Sequence, residues 1–307
     1  MIVAVTGAGG LVGSALVSSL RASGHRVISL VRRAPRAGED ALRWDPSSGA
    51  ITPTAPALDA VVHLAGESIM GLRWTAEKKR RIRESRTTAT RLLVQTLVRL
   101  PKPPGVLISA SAIGYYGSRG DEVLTEDSGP GTGFLADVAR DWEAATAAAI
   151  AHGIRVVNPR LGVVLSNHGG ALAKMLTPFR LGMGGVVGDG TQWMSWIALD
   201  DVVGAIQHAL VTDSLRGPMN AVAPGPVTNA ELTRTLGRVL RRPTVVPLPA
   251  FAARLAMGEM ADALLLASHR VLPARLQASG YVFRHPSLEG ALRAIARPPG
   301  ASRSAYP

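Results

Sequence analysis

The turn Thr6-Gly7-Ala8-Gly9-Gly10-Leu11-Val12-Gly13 constrains this chain more than any other segment. An apolar run, Ile2 to Thr6, leads into it. Val12, Leu16 and Leu20 follow at i, i+4 and i+8, a helical stripe that Gly24 ends. His25 to Val31 then reads as a second strand. A glycine turn between a strand and a helix is a phosphate cradle in the making: side chains there would block a pyrophosphate, and the free N–H groups of the helix start favour its charge. Gly7, Gly10 and Gly13, with Leu11 and Val12 between them, are therefore expected to hold a dinucleotide. An ordinary tight strand-to-helix turn is the alternative.

Alternation of strand and helix signals continues through the first half. Ala60 to Ala65, Val106 to Ser109 and Ile154 to Val157 read as strands; 76–99 and 137–152 read as helices, the first stopped by Pro101 and the second by Gly153. Such alternation predicts a Rossmann-type, doubly wound parallel sheet with helices on both faces. Beyond Gly162 the pattern loosens. Glycines crowd 182–190, a loop suited to close backbone approach; 200–210 and 229–240 look helical, the latter behind Thr228 as N-cap, and 247–296 is helix-rich. The expected organisation is a Rossmann core over 1–165 that 186–228 re-enters, a smaller C-terminal substrate lobe from 166–185 and 229–296, and a disordered tail over 297–307.

With 47% hydrophobic residues, the chain can bury a sizeable core, so bulk disorder is not expected. The absence of cysteine excludes disulfides, thiolate metal sites and a cysteine nucleophile, and suits a reducing cytoplasm, the expected location. Met1 leads straight into an apolar strand without the basic region of a signal peptide. No apolar run reaches the ~18 residues of a membrane span; 251–267 comes nearest but contains Arg254, Glu259 and Asp262. The seven histidines form no pair at metal-ligand spacing, so no metal is expected. A net charge of +12 could suggest nucleic acid, yet the densest run, Lys78 to Arg81 with Arg83 and Arg86, has no interleaved aromatics to stack bases. The expectation is a small-molecule partner and no nucleic acid.

The end of the second strand bears on which dinucleotide binds. An NAD site commonly places an acid about 20 residues past the glycines to bond the ribose 2′-OH. Here Val31 is followed by Arg32 and Arg33, and guanidinium groups bond a 2′-phosphate that a carboxylate would repel. This predicts NADP(H), against the alternative of two solvated arginines. Gly66, after His63-Leu64-Ala65, would let backbone pass the ribose closely. His63 reads as a core histidine and Asp59 as structural. Arg86 shares the apolar face of its helix with Ile82, Ala89 and Leu93, so its guanidinium needs a partner, either a bound phosphate or an internal carboxylate.

The glycine turn, the strand end His63-Leu64-Ala65-Gly66 with Glu67, and Ser109-Ala110-Ser111-Ala112-Ile113-Gly114-Tyr115-Tyr116-Gly117 together resemble extended short-chain dehydrogenases/reductases. Gly188-Asp189-Gly190-Thr191-Gln192-Trp193-Met194-Ser195-Trp196-Ile197, Gly258-Glu259-Met260-Ala261-Asp262 and Ser268-His269-Arg270-Val271-Leu272-Pro273 make the chain similar to their atypical, epimerase-like subgroup, which carries a C-terminal domain of unknown function. The resemblance covers roughly residues 1 to 296. It implies cofactor contacts at Arg32, Leu64, Ala65, Arg86 and Val163 beyond the glycine turn, and a homodimer.

The catalytic side departs from that pattern. Extended members use Ser/Thr with a Tyr-x-x-x-Lys pair, the lysine lowering the tyrosine pKa. Ser111, or Ser109, supplies the serine. The helix beginning near Phe134 has neither tyrosine nor lysine: Phe134 cannot transfer a proton and Arg140 stays protonated. Tyr115 and Tyr116 beside Ser111, and Glu67 past Gly66, are the remaining acid–base candidates; packing explains Tyr116 and solvation explains Glu67 equally well. Arg160 would clamp an anionic substrate or pair with a carboxylate. Two functions stay open: an NADP(H)-dependent oxidoreductase or epimerase acting on a small polar substrate, and a non-catalytic NADP(H)-binding sensor or regulatory module.

Overall fold

The computed structural model describes residues 1–51, 56–71 and 73–296. The tail expected over 297–307 lies outside the described residues.

Apolar residues alternate in and out of two helical layers around one parallel sheet. Its strands are β1 (Ile2–Thr6), β2 (Arg26–Val31), β3 (Ala41–Arg43), β4 (Ala60–His63), β5 (Val106–Ser109), β6 (Ser111–Ala112), β8 (Arg155–Leu161) and β12 (Gly217–Ala221). The order across the sheet is β12-β8-β5-β4-β1-β2-β3, with the short β6 also paired to β8. Successive strands run outward in both directions from β1 and β4, so the topological switch point, where such sheets bind ligands, lies at the end of β1. That is where the glycine turn sits.

Helix α1 (Leu11–Ala22) covers one face with α7 (Leu199–Val211); Leu16, Leu20, Val202 and Ile206 pack there on Val3, Val5, Val62 and Ile108. The other face carries α3 (Thr87–Val98) and α5 (Ala147–Ala151), with Leu93, Leu97 and Ala149 on Ala4, Val61 and Leu107. Strands this buried read as unbroken apolar runs, which is why β1, β4 and β5 were visible in sequence. The expected strand at 154–157 is longer than its apolar run, because polar Asn158, Pro159 and Arg160 continue it to Leu161. β3, three residues at the sheet edge, gave no signal.

Two helices are broken where the periodicity predicts one. The stretch 76–99 forms α2 (Ala76–Glu84) and α3, separated at Ser85-Arg86. Ser85 Oγ donates to the Ile82 carbonyl and accepts from the Glu67 amide, and such side-chain bonds compete with helix continuation. Similarly, 137–152 becomes α4 (Phe134–Ala144) and α5, with Thr146 Oγ1 donating to the Glu143 carbonyl at the break.

A second core builds the smaller layer. After the short strand β7 (Val123–Leu124), β9 (Val163–Leu165) leaves the main sheet to pair in parallel with β11 (Trp196–Ala198), and α6 (Gly170–Arg180), β10 (Trp193–Met194), β13 (Val227–Thr228) and α8 (Asn229–Leu240) complete the segment. Leu172, Leu176, Phe179, Leu232 and Leu236 pack around Trp196 with residues of the terminal helix 288–296. Thr228 caps α8 as expected, in a reciprocal capping box with Glu231. The glycine-rich loop makes the close approach its composition predicts: a Cβ at Gly185 would lie 1.8 Å from the Val246 carbonyl oxygen. Helices α9 (Ala250–Met257), α10 (Glu259–Ala261) and α11 (Ala274–Ala278), strand β14 (Arg270–Val271) and α12 (Leu288–Ala296) complete the layer. β14 pairs in parallel with β7, stitching the C-terminal segment to the loop that follows the Ser111 strand.

Candidate cofactor and active site

Strand register aligns the candidate residues. Leu30, Thr6, His63 and Ser109 form one row across β2, β1, β4 and β5. Immediately past this row lie Arg32, Gly7, Leu64 and Ser111. Three strand spacings, about 15 Å, separate the arginine end from the serine end, a gap for an elongated ligand.

Steric demands sort the glycines into two kinds. Gly7 has φ +68°, and a Cβ there would sit 2.8 Å from the Leu64 carbonyl carbon; at Gly13 a Cβ would meet the Gly7 oxygen at 2.1 Å. Both are required by the protein's own packing. Gly9 is exposed, with nothing within 4 Å of its virtual Cβ, so its lack of a side chain keeps space open outside the turn. Gly10 is the N-cap of α1, with no side-chain cap bond and no acid in the first turn. The amides at Leu11, Val12 and Gly13 thus begin an uncapped helix beneath an open surface, a cradle that fits a pyrophosphate. Leu11 also touches the start of α6: a Cβ at Gly170 would lie 3.4 Å from its side chain.

Arg32 and Arg33 separate in the structure. Arg33 is held bidentately by Glu39, at 2.9 and 2.7 Å, and that bond draws the Glu39 carboxyl down to about 2. Arg32 is exposed and has no ion-pair or hydrogen-bond partner among the described residues. Of the two cations, Arg32 is the one available to a ligand.

Arg86 does not take the internal carboxylate that was one of its two foreseen partners. Its Nη1 donates to the Glu67 carbonyl at 2.9 Å and to Ile82 at 3.2 Å, its guanidinium lies 5.2 Å from the Trp142 ring, and a Cβ at Gly66 would come within 3.3 Å of it. Burial lowers its pKa to about 10, which leaves it charged at neutral pH. Among the described residues no carboxylate bonds it, and Nη2 and Nε stay open to an anion. The α2–α3 break is what aims it at Gly66. Leu64 and Ala65 present their backbone against Gly7, and Val163 lies half-buried at the start of β9, bonded through its amide to Ser195.

The serine end is a buried polar network. Ser111 Oγ donates to Glu143 Oε1 at 2.6 Å. Glu143 takes both arms of Arg160, at 2.7 and 2.8 Å, and Arg160 Nη1 donates to the Tyr116 hydroxyl at 2.8 Å. Tyr116 in turn donates to Asn220 Oδ1 at 2.7 Å. Tyr116 is fully buried, and burial pushes its hydroxyl up to about 12. Arg160 is therefore paired with a carboxylate, and its guanidinium lies 3.5 Å from the Tyr115 ring centre. Glu67 bonds Lys78 at 2.6 Å, which lowers its carboxyl pKa. Glu143 had no signal of its own in sequence; its partner Arg160 lies on another element, 17 residues on.

Where the tyrosine and lysine of extended members would be sought, Phe134 makes an edge contact with Trp74, the ring centres 5.3 Å apart, and Lys79 lies 5.3 Å from the Phe134 ring. Among the described residues no cluster of three or more histidine, aspartate or glutamate side chains could hold a metal ion, and no helix is long and apolar enough to cross a membrane.

Sheet order, glycine turn and strand-end arginines define a nucleotide-binding protein of the Rossmann class. The sequence matches the NAD dependent epimerase/dehydratase family over residues 3–221 and a domain of unknown function, DUF1731, over 248–295; the chain belongs to that epimerase/dehydratase family. It is 45% identical over 300 residues to an epimerase family protein of Mycobacterium bovis, covering 97% of this chain and 99% of the relative. Against the epimerase family protein SDR39U1 of Homo sapiens the identity is 37% over 298 residues, 96% of this chain and 99% of the other. The crystal structure of human SDR39U1 (isoform 2) with NADPH superposes with a TM-score of 0.89 at 34% identity, over 96% of this chain and 99% of that one. A nucleoside-diphosphate sugar epimerase from Corynebacterium glutamicum gives 0.77 at 40% identity, over 96% of this chain and 58% of that chain.

Proposed function

We propose that this protein binds NADP(H) along the strand ends and is an oxidoreductase, with an epimerase as the variant in which the cofactor is re-reduced in place. The observation that carries the reading is the cradle. Gly9 leaves space that the protein itself does not need, above an uncapped helix start, with the unpartnered Arg32 at one end and the open side of Arg86 between. The NADPH bound in the related human structure supports the same reading.

In this arrangement the amides of Leu11, Val12 and Gly13 bind the pyrophosphate, and Arg32 bonds the 2′-phosphate. Leu64, Ala65 and Gly66 form the wall on which the adenosine side rests, Arg86 offers its free nitrogens to a phosphate or ribose oxygen, and Val163 flanks the nicotinamide side. Bound NADPH supplies a hydride. Ser111 is buried with its proton held by Glu143, so it acts as a positioning residue for the Glu143–Arg160 pair. Tyr116 acts as a positioning residue through Arg160. Tyr115 and Glu67 are the remaining groups with access to exchange a proton.

The non-catalytic alternative draws support from one feature: the Ser111 and Tyr116 hydroxyls are both spent on internal partners. Calorimetry with NADPH and NADH, followed by NADPH oxidation over a panel of carbonyl compounds, separates the readings. Tight NADPH binding with no oxidation of any compound sinks the oxidoreductase; equal affinity for NADH sinks the 2′-phosphate assignment.

A further inference from the structure

Two segments of the C-terminal layer push apolar side chains into solvent. Among the described residues twelve large apolar side chains are exposed, and seven of them fall here instead of scattering singly over the surface. Leu181 and Met183 follow the end of α6; Val245, Val246, Leu248, Phe251 and Leu255 run from the turn after α8 through α9. Val245, Phe251 and Leu255 are 77%, 72% and 73% exposed, so they project from the fold instead of packing on it. The combined area of the seven, on the order of 800 Å², exceeds the roughly 300–600 Å² of the largest patch on a typical monomer.

Backbone bonds join the two segments into one surface. The Val246 amide donates to the Gly184 carbonyl at 3.2 Å, the Leu248 amide to the Val186 carbonyl at 2.8 Å, and the Gly188 amide to the Leu248 carbonyl at 2.9 Å. This pairing sets Met183 beside Val245 in register. Phe251 and Leu255, four residues apart, share a face of α9, and Leu248 stands three residues ahead of Phe251. The far end of α9 is tied to the core, where the Arg73 guanidinium donates to the Leu255 and Ala256 carbonyls. The patch is thus fixed before anything covers it.

Charge says what the cover must be. Residues 161–188 and 232–258 contain no aspartate or glutamate and seven lysines and arginines, so the face carries a cationic rim with no acid of its own. Arg254 pairs with Asp262 from outside these segments, and Arg238 lies 3.6 Å from Glu289. The exposed side chains of Arg180 and Arg241 have no partner among the described residues. Arg242 Nε donates to the Arg180 carbonyl at 2.9 Å, which gathers these arginines at the Leu181 and Val245 end of the patch. Arg241 also has φ +54°, the one non-glycine in the left-handed region among the described residues, at the C-cap of α8. Glycine is the unstrained choice at such a position, and the arginine side chain gains no bond from the fold in return.

A second copy of this chain is disfavoured as the cover, because the cationic rims would meet like to like. A bilayer with anionic headgroups fits both properties: guanidinium groups bond lipid phosphates while protruding apolar side chains enter the acyl boundary. We propose that this face of the C-terminal layer docks the protein onto anionic phospholipid bilayers, with Arg180, Arg241 and Arg242 at the headgroups and Met183, Val245, Phe251 and Leu255 inserted beneath them. The docking is peripheral, needs no spanning helix and does not depend on the NADP(H) reading.

The test is co-sedimentation of the full-length protein with vesicles of phosphatidylcholine alone and of phosphatidylcholine containing roughly a third phosphatidylglycerol, at low and physiological salt. Binding to the anionic vesicles should be at least tenfold tighter and should weaken with salt. Phe251→Glu/Leu255→Glu and, separately, Met183→Glu/Val245→Glu should each reduce it at least tenfold. Arg241→Gly should reduce it and flatten the salt dependence while the melting temperature holds or rises, since the substitution relieves the turn. NADPH affinity and melting temperature, measured on the same samples, should be unchanged in the glutamate variants, which shows that the fold is intact. Equal binding to both vesicle types, or anionic binding that survives both glutamate pairs, overturns the proposal. No vesicle binding at all overturns it in favour of an acidic protein partner. A dimer in sedimentation velocity that either glutamate pair splits assigns the face to a second copy and overturns it as well.

Discussion

Thr6 Oγ1 and His63 Nδ1 lie 2.7 Å apart at the ends of neighbouring strands, and the surrounding bonds fix the direction of the proton between them. Thr6 Oγ1 accepts from the amides of Leu64 and Ala65, at 3.1 and 3.2 Å, so its own hydrogen goes to His63 Nδ1. The ring is then protonated at Nε2, which donates to Thr90 Oγ1 at 3.0 Å, where the Trp142 indole also donates. One neutral histidine thereby ties the wall of the cofactor cradle to α3 and α4.

This arrangement predicts an acid-sensitive fold. Burial holds His63 at about 4, below its usual value of 6.5. The unfolded chain binds the proton that the folded chain refuses, so the contribution is fully present above pH 6.5 and is lost as pH falls from there toward 4. A gap of that size is worth about 3 kcal/mol. Urea unfolding between pH 7.5 and 4.5 should show stability falling, and His63→Gln should flatten part of that slope. An identical slope in the variant would refute the assignment.

The two kinds of glycine should separate folding from binding. Gly13→Ala forces a Cβ into the Gly7 carbonyl, so the turn cannot close and both melting temperature and NADPH affinity should fall. Gly9→Ala meets no protein atom within 4 Å, so its melting temperature without ligand should stay within about 2 °C of the parent, a surface-like change. Its NADPH affinity should nonetheless fall at least tenfold. Unaltered NADPH affinity in calorimetry would mean that the pyrophosphate does not pass there.

Selectivity should reside in Arg32 more than in Arg33. Arg32→Ala is expected to weaken NADPH by ten- to a hundredfold, one lost charge-assisted contact or two, with NADH unchanged. Arg33→Ala should have a smaller effect, because that guanidinium is already bonded to Glu39. Equal losses for both variants would show that Glu39 releases Arg33 when cofactor binds.

The backbone geometry of the glycine turn and strand ends was legible in sequence, and the polar network at the serine end was not, for a physical reason. The cradle is local: strand, turn and helix are adjacent in the chain, and each glycine's role follows from its neighbours. The register that lines Arg32, Gly7, Leu64 and Ser111 along one edge follows from parallel strands. Long-range pairing is different. Nothing near Ser111 announces that Glu143 will take its proton, nor that Tyr116 will bond Asn220, 104 residues away. The helix breaks at Ser85 and Thr146 were hidden too, because apolar periodicity runs through both while single hydroxyl bonds decide where the helix stops.

The Glu143–Arg160 pair supplies the sharpest test of the serine end. Both side chains are largely buried, at 14% and 3% exposure, so removing either charge strands the other in a poor solvent for ions. Glu143→Leu and Arg160→Met should each cost about 3–5 kcal/mol, whereas making both replacements together should cost less than the sum. Tyr116→Phe removes a hydroxyl that bonds Arg160 and Asn220, leaving both unsatisfied, and should cost about 1–3 kcal/mol. None of these should alter NADPH affinity, since the network lies beneath the serine and away from Arg32 and the glycine turn. Denaturant titrations of the two single variants and the combined Glu143→Leu/Arg160→Met variant give the coupling directly. Additive costs would show that the pair is not held together in solution, and with it the positioning role of Tyr116 through Arg160 would fall.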